Sequence, residues 1–326
     1  MVDIRQEEYK TRQRILYANN PNKVDSPDKH LREEFDKLRA TKGINSFAIS
    51  PVVNVDLFLK FLLEHPEIQK IYSVYLDTFE SLPYRPDMAF DSIWRALEAL
   101  IKRYAIEAWG VTYGTSDIVS TMGRICKEAI APIINNDSRL SNGLESIIAL
   151  IPISIGRYSL ARMLCDREIR IASQYGPILD RVKRILGSDL YELYKNRYSQ
   201  DGVVDSKSHY DGARKIVRMI CKKNMTFFDK PVDNLKDFQR WEFVMSVIIY
   251  TSRCERYHGD FFSPFYSALA KMDTYRHWYW LLITTHAFFW ILFMKYCEYI
   301  GVNILDADSV SECLERNAEN LTKLMS

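Results

Sequence analysis

The run from His277 to Met294, H-W-Y-W-L-L-I-T-T-H-A-F-F-W-I-L-F-M, contains no Asp, Glu, Lys or Arg. A chain carrying such a segment must hide it. Its length is near the minimum for a membrane span, and Lys295 follows it directly. The same pattern describes a central helix buried by protein on every side, which is also apolar all round. Two threonines and two histidines, His277 and His286, lie inside the run and count against lipid. Burial in protein is the expectation, with no membrane partner; a membrane anchor is the alternative.

The rest of the chain can supply that cover. Hydrophobic residues make up 47% of 326 positions and aromatics 13%, enough for one large domain or two ordinary ones. Only 12 Gly and 11 Pro punctuate this length, so the elements are long and turns are few. From Met88 to Trp109, Phe90, Ile93, Trp94, Leu97, Leu100 and Ile101 recur at helical spacing along one face. No pair of segments shows convincing strand alternation, and the fold expected is all-α. Residues 1–50 read as a charged N-terminal helical extension, with Ser26-Pro27 opening a helix that ends at Gly43. Residues 51–302 form the main helical domain, and 303–326 a C-terminal amphipathic helix. Basic faces of the helices at 157–173 and 177–186 are expected to point outward, and Pro152 to kink or end the helix before it.

Several chemistries are excluded by what the chain lacks. The net charge is +2, from 44 basic and 42 acidic residues, so any nucleic-acid surface is a local patch. No glycine-rich phosphate loop and no metal-ligand spacing of His, Cys or acids occurs, and no cofactor or metal is expected. Cys126, Cys165, Cys221, Cys254, Cys297 and Cys313 sit mostly in apolar helical patterns and read as reduced thiols of a cytoplasmic protein. The first ten residues are charged, without the apolar core of a secretion signal.

Of six histidines, only His258 has an arginine close by and a glycine beside it. It belongs to V-I-I-Y-T-S-R-C-E-R-Y-H-G-D-F, Val247 to Phe261, where Arg253 and His258 are flanked by Tyr250 and Tyr257. A permanent guanidinium beside a group that exchanges protons near neutrality suits phosphate-ester chemistry. A helix end carrying basic residues is the plainer account. Two further features are ambiguous in the same way. Arg214, Lys215, Arg218 and Lys222 share one sector of a helix at 211–223, either as a solvated face or as a surface that tracks RNA phosphates. Glu98 is the carboxylate nearest the apolar stripe of 88–109, most simply a boundary group facing solvent.

The string I-Y-T-S-R-C-E-R-Y-H-G-D, Ile249 to Asp260, resembles the R-x4-H motif of the HEPN superfamily (higher eukaryotes and prokaryotes nucleotide-binding). These are all-helical domains common among RNA-cleaving toxins and anti-phage effectors. F-D-S-I-W-R-A-L-E-A-L, Phe90 to Leu100, looks like the first core helix of such domains, and Trp278–Met294 like the apolar helix that follows the motif. The resemblance covers about residues 85–302; the stretch between roughly Thr112 and Leu235 is an insertion without an assigned role. Two positions depart from the pattern. Cys254 stands where many active members carry Asn, Asp or His, and Asp260 where members paired with a nucleotidyltransferase antitoxin often have tyrosine.

The resemblance implies a metal-independent endoribonuclease, a toxin or abortive-infection effector, in which the ribose 2′-OH attacks its own phosphate. Arg253 would hold the phosphate, His258 would move protons, and Glu98, Tyr250, Cys254 and Tyr257 would support them. A sensor or inhibitor partner would restrain it. Five residues along a helix rotate by about 500°, leaving Arg253 and His258 about 140° apart. Either the helix unwinds before Gly259, or a second copy of the chain completes the site, and the usual HEPN dimer implies the second arrangement. A non-catalytic helical module that binds RNA, nucleotide or protein through the same cleft is the competing expectation.

Overall fold

A computed structural model describes residues 12, 14–19, 25–26, 28–52, 54–111, 118–164, 176–200, 203–204, 208–227, 230–257, 264–265 and 270–326. Among these the elements are almost entirely helical, so the chain is all-α. In order they are α1 (Lys29–Lys42), α2 (Val55–Glu64), α3 (Pro66–Glu80) and α4 (Pro86–Trp109). Next, α5 comprises Ile118–Arg124, a π-turn at Ile125–Ile130 and Ala131–Asn136. Then come α6 (Ser138–Ala149), α7 (Ile153–Leu164), α8 (Gly176–Leu186), α9 (Ser188–Tyr198) and α10 (Ser208–Ile220). The motif helix α11 is again composite: Asp237–Glu242, a π-turn at Phe243–Ile249, and Tyr250–Tyr257. The chain ends with α12 (Met272–Tyr299) and α13 (Ala307–Met325).

The charge-free run lies inside α12, and protein covers it: 94% of its most apolar 18-residue window is buried. It runs parallel to α4, with Phe90 against Trp278 and Tyr104 against Tyr299, ring centroids 5.8 Å apart in both pairs. Most of its polar groups are bonded within protein, while the Thr284 hydroxyl is buried without a hydrogen-bond partner. Thr285 donates to the Leu281 carbonyl at 2.7 Å, and Trp280 Nε1 donates to the Ile147 carbonyl at 3.0 Å. Trp290 Nε1 donates to His286 Nε2 at 3.1 Å, with the Tyr75 hydroxyl 3.1 Å from the same nitrogen.

Both ends of the chain join this core. Phe35 of α1 is fully buried and stacks on Tyr275 of α12 at 3.8 Å. The helix begins later than Ser26-Pro27 suggests: Asp28 stands at its N-cap, and the Ser26 carbonyl accepts from Lys29 N at 3.0 Å. Gly43 ends it at φ +64°, where a Cβ is strained. Beyond it, residues 46–49 lie along α13 as a strap. Asn317 accepts from Ile49 N at 3.0 Å and donates to Ile49 O at 3.2 Å, and Asn320 donates to Ser46 O at 2.8 Å. Pro152 ends α6 outright, and α7 leaves at 82° to it.

Two small hairpins depart from the all-helical expectation. Ser199–Gln200 pairs with Val203–Val204, and Met225–Phe227 with Lys230–Val232. Strands of two or three residues are too short to show alternation in sequence. The sequence also suggests a helix cap at Thr115-Ser116-Asp117 and a short helix at 265–271; the first lies outside the described residues, as does most of the second.

His286 gives the fold an acid-sensitive element. Burial holds its pKa down from 6.5 to about 3, so the native chain keeps it neutral while the unfolded chain protonates it normally. The stability it contributes is complete above pH 6.5 and is lost as pH falls toward 3. Urea unfolding should show this one histidine costing about 2 kcal/mol by roughly pH 5. His286→Gln should make that limb shallower by about this amount, leaving the share of the similarly buried His277, and an unchanged limb would contradict the assignment.

Candidate functional site

The motif helix is anchored at its start. Arg240, with no exposed surface, reaches Glu145 Oε1 at 2.5 Å and Asp237 Oδ1 at 3.1 Å, and Trp241 Nε1 donates to the same Glu145 oxygen at 3.2 Å. Lys222, at φ +55°, joins this cluster 2.9 Å from Asp237. Burial pushes the Asp237 carboxyl up, but its hydrogen bonds to Lys222 and Arg240 outweigh this and hold it low. Phe243 to Ile249 then pass through the middle of the molecule, every one of them buried.

Beyond the π-turn the helix meets α4. The Tyr250 ring lies 5.8 Å from Trp94, and Trp94 Nε1 donates to Glu98 Oε2 at 3.0 Å. Lys102 donates to the other Glu98 oxygen at 2.6 Å, and Arg253 Nη2 stands 3.9 Å from Oε2. Side-chain exposures of 23% for Arg253 and 19% for Glu98 make this a half-buried ion pair at the protein edge. Glu98 therefore turns toward Trp94, Lys102 and Arg253 instead of standing free in solvent. The acid at position 98 and the indole at 94 share a helix face because they are four residues apart.

Two arginines that the basic helix faces of the sequence suggested were outward are buried against α11. Arg162 of α7 is 4% exposed and donates to Ser252 Oγ at 3.3 Å. Arg181 of α8 is 6% exposed; it donates to the Ser246 carbonyl and lies over the Tyr250 ring, 5.2 Å from its centroid. Nothing in the spacing of either helix marks these two among its other basic residues. Close by, Ser154 Oγ stands 3.0 Å from His277 Nδ1. Burial, with Arg162 nearby, holds that imidazole down to about 3, too feeble a base to activate a hydroxyl at neutral pH.

Cys254 is a free, half-buried thiol next to Arg253. His258 and Asp260 lie outside the described residues, as does the side chain of Tyr257; α11 is helical through Tyr257. Arg214, Lys215 and Arg218 lie on α10, whereas Lys222, expected on the same helix, stands beyond its end; these basic residues are largely engaged in the fold. Lys215 donates to the Thr226 carbonyl at 2.5 Å, Arg218 to the Asn224 carbonyl at 2.9 Å, and Lys222 joins the cluster described above. Arg214 covers the Tyr210 ring at 5.2 Å. A cleft of about 630 Å³ opens elsewhere, among Asn136, Lys295, Glu298 and Asp306, and includes none of the motif residues.

The Glu98–Arg253 pair should be measurable without any ligand. In a double-mutant cycle with Glu98→Gln and Arg253→Met, urea unfolding is expected to give a coupling of about 0.5–1 kcal/mol. Strict additivity would show that the two groups do not interact. No protein-family model matches the chain, and comparison with curated proteins and with solved structures found no match.

Proposed function

We propose that the chain is a metal-independent endoribonuclease of HEPN type, acting in the cytoplasm as a toxin or anti-phage effector. Arg253 and His258 carry the chemistry in this reading. The observation that supports it most is the Trp94–Glu98–Arg253 arrangement. A carboxylate braced by an indole holds a guanidinium on the last turns of the motif helix, at the edge of the protein where a phosphate can reach it.

In the reaction, the ribose 2′-oxygen forms a bond to phosphorus while the bond to the 5′-oxygen of the next nucleotide breaks. The 2′-hydroxyl proton passes to a base, and the leaving oxygen takes one up. The products are a 2′,3′-cyclic phosphate and a 5′-hydroxyl. His258, whose ordinary pKa lies near neutrality, is the group suited to move these protons. Arg253 offers two parallel N–H donors to the phosphoryl oxygens, whose negative charge grows in the transition state. An arriving phosphate competes with Glu98 for them, so the carboxylate orients the guanidinium before binding and yields part of it afterward.

The helix continues through Tyr257 without unwinding, and one more helical step would leave position 258 about 140° from Arg253. This favours a homodimer in which each copy completes the other's site. A second reading, a module that binds RNA, nucleotide or protein without cleaving, is favoured by Cys254. Its thiol is a weak hydrogen-bond group at the place where a stronger one would assist Arg253.

Purified chain incubated with RNA in the presence of EDTA should release cyclic-phosphate ends. Arg253→Ala and His258→Ala should each lower the rate about a hundredfold or more. A refolded mixture of the two variants should exceed either alone. Undiminished cleavage by His258→Ala would overturn the catalytic reading. Binding without cleavage by the parent chain would select the second one.

A further inference from the structure

Between the anchored start of α11 and Arg253 lies a π-turn, and it decides which way Arg253 faces. In an uninterrupted α-helix, the twelve steps from Trp241 to Arg253 leave the two about 120° apart around the axis. A π-turn accommodates one extra residue, which withdraws about 100° and brings Arg253 within about 20° of Trp241. Without it, Ser252 would occupy the direction that Arg253 now takes toward Glu98. The phase of the motif is thus set in the middle of the helix, several residues before the motif begins.

Residues of the wide turn give no reason of their own to prefer it. Phe243, Val244, Met245, Val247, Ile248 and Ile249 are apolar and suit an ordinary helix equally well. Ser246 is the exception: its hydroxyl donates to the Glu242 carbonyl at 2.7 Å, and its own carbonyl accepts from Arg181. Arg181 spans the turn. Its guanidinium bonds a carbonyl inside the π segment and covers the ring of Tyr250, the first residue after it. Tyr250 in turn packs on Trp94, which holds Glu98.

We propose that Arg181 is a positioning residue for Arg253: it clamps the π-turn through Ser246 and Tyr250 and so directs the motif arginine onto Glu98. Its functional meaning rests on the reading of Arg253 as the phosphate-holding group. Arg181 acts through the helix, by its hold on Ser246 and Tyr250. Burial suits this role, because a charged plate held on both faces of one turn fixes rotation better than a mobile surface chain does.

The test reads the Glu98–Arg253 coupling in the absence of RNA, in the parent chain and in Arg181→Met and Arg181→Lys backgrounds. In the parent the coupling should change the folding equilibrium by roughly twofold to fivefold. It should vanish in the Arg181→Met background. In the Arg181→Lys background, which keeps a donor for Ser246 but not the flat plate on Tyr250, it should fall partway. A coupling equal to that of the parent in Arg181→Met overturns the proposal. If that variant does not fold, a parental coupling in Arg181→Lys overturns it. RNA cleavage is measured in parallel: Arg181→Met should lower kcat with little change in KM, as loss of orientation does. If Arg253→Ala leaves cleavage intact, the catalytic reading fails while the coupling result stands by itself.

Discussion

Everything in this molecule follows from the need to cover α12 on all sides. A helix without a charge for eighteen residues cannot face water, and burying its hydroxyls, indoles and imidazoles is costly without partners. Protein meets the first requirement and most of the second, with the Thr284 hydroxyl left unpaired. The aromatic rings of α1, α3 and α4 supply the apolar cover, and carbonyls at Leu281 and Ile147 take the protons. Length and composition alone would also let the helix cross a membrane; in the fold, protein buries 94% of its most apolar window.

The candidate site is a by-product of the same packing. Because α4 lies along α12, its other face is free to meet the motif helix, and Trp94 and Glu98 stand on that face. The carboxylate is then placed by the core rather than by a loop. A group placed this way keeps its direction when the surface moves, a property that a phosphate-binding arginine requires of its neighbour.

Much of this was legible before any coordinates. The buried helix announced itself by its lack of charge, the face containing Trp94 by its 3.6-residue period, and the end of α6 by Pro152. The π-turn of α11 was not legible, for a physical reason. Sequence periodicity reports phase only where one face differs from the other, and from Phe243 to Ile249 both faces are buried. Arg162 and Arg181 were hidden by the opposite problem: a basic residue on an amphipathic helix is ordinarily solvated, and only the neighbour's polar groups reveal the exception. The same holds for Lys215 and Arg218, whose partners are backbone carbonyls at or just before a hairpin too short to foresee.

The strap at residues 46–49 carries a consequence for how the chain comes together. Its partner Asn317 lies 268 residues beyond Ile49, and the bonds between them are backbone to side chain, with no local substitute. During synthesis the strap waits, unpaired, while nearly all of the intervening helices are made. Contacts of such separation form late and close large loops, so the docking of α13 is a finishing step that fastens an early segment in place. Phe47 of the strap waits as well for Tyr279 of α12, whose ring lies 3.9 Å from its own, so this apolar segment is made long before the helices that bury it. The cost of surrounding one helix from both directions of the sequence is a fold that cannot close early.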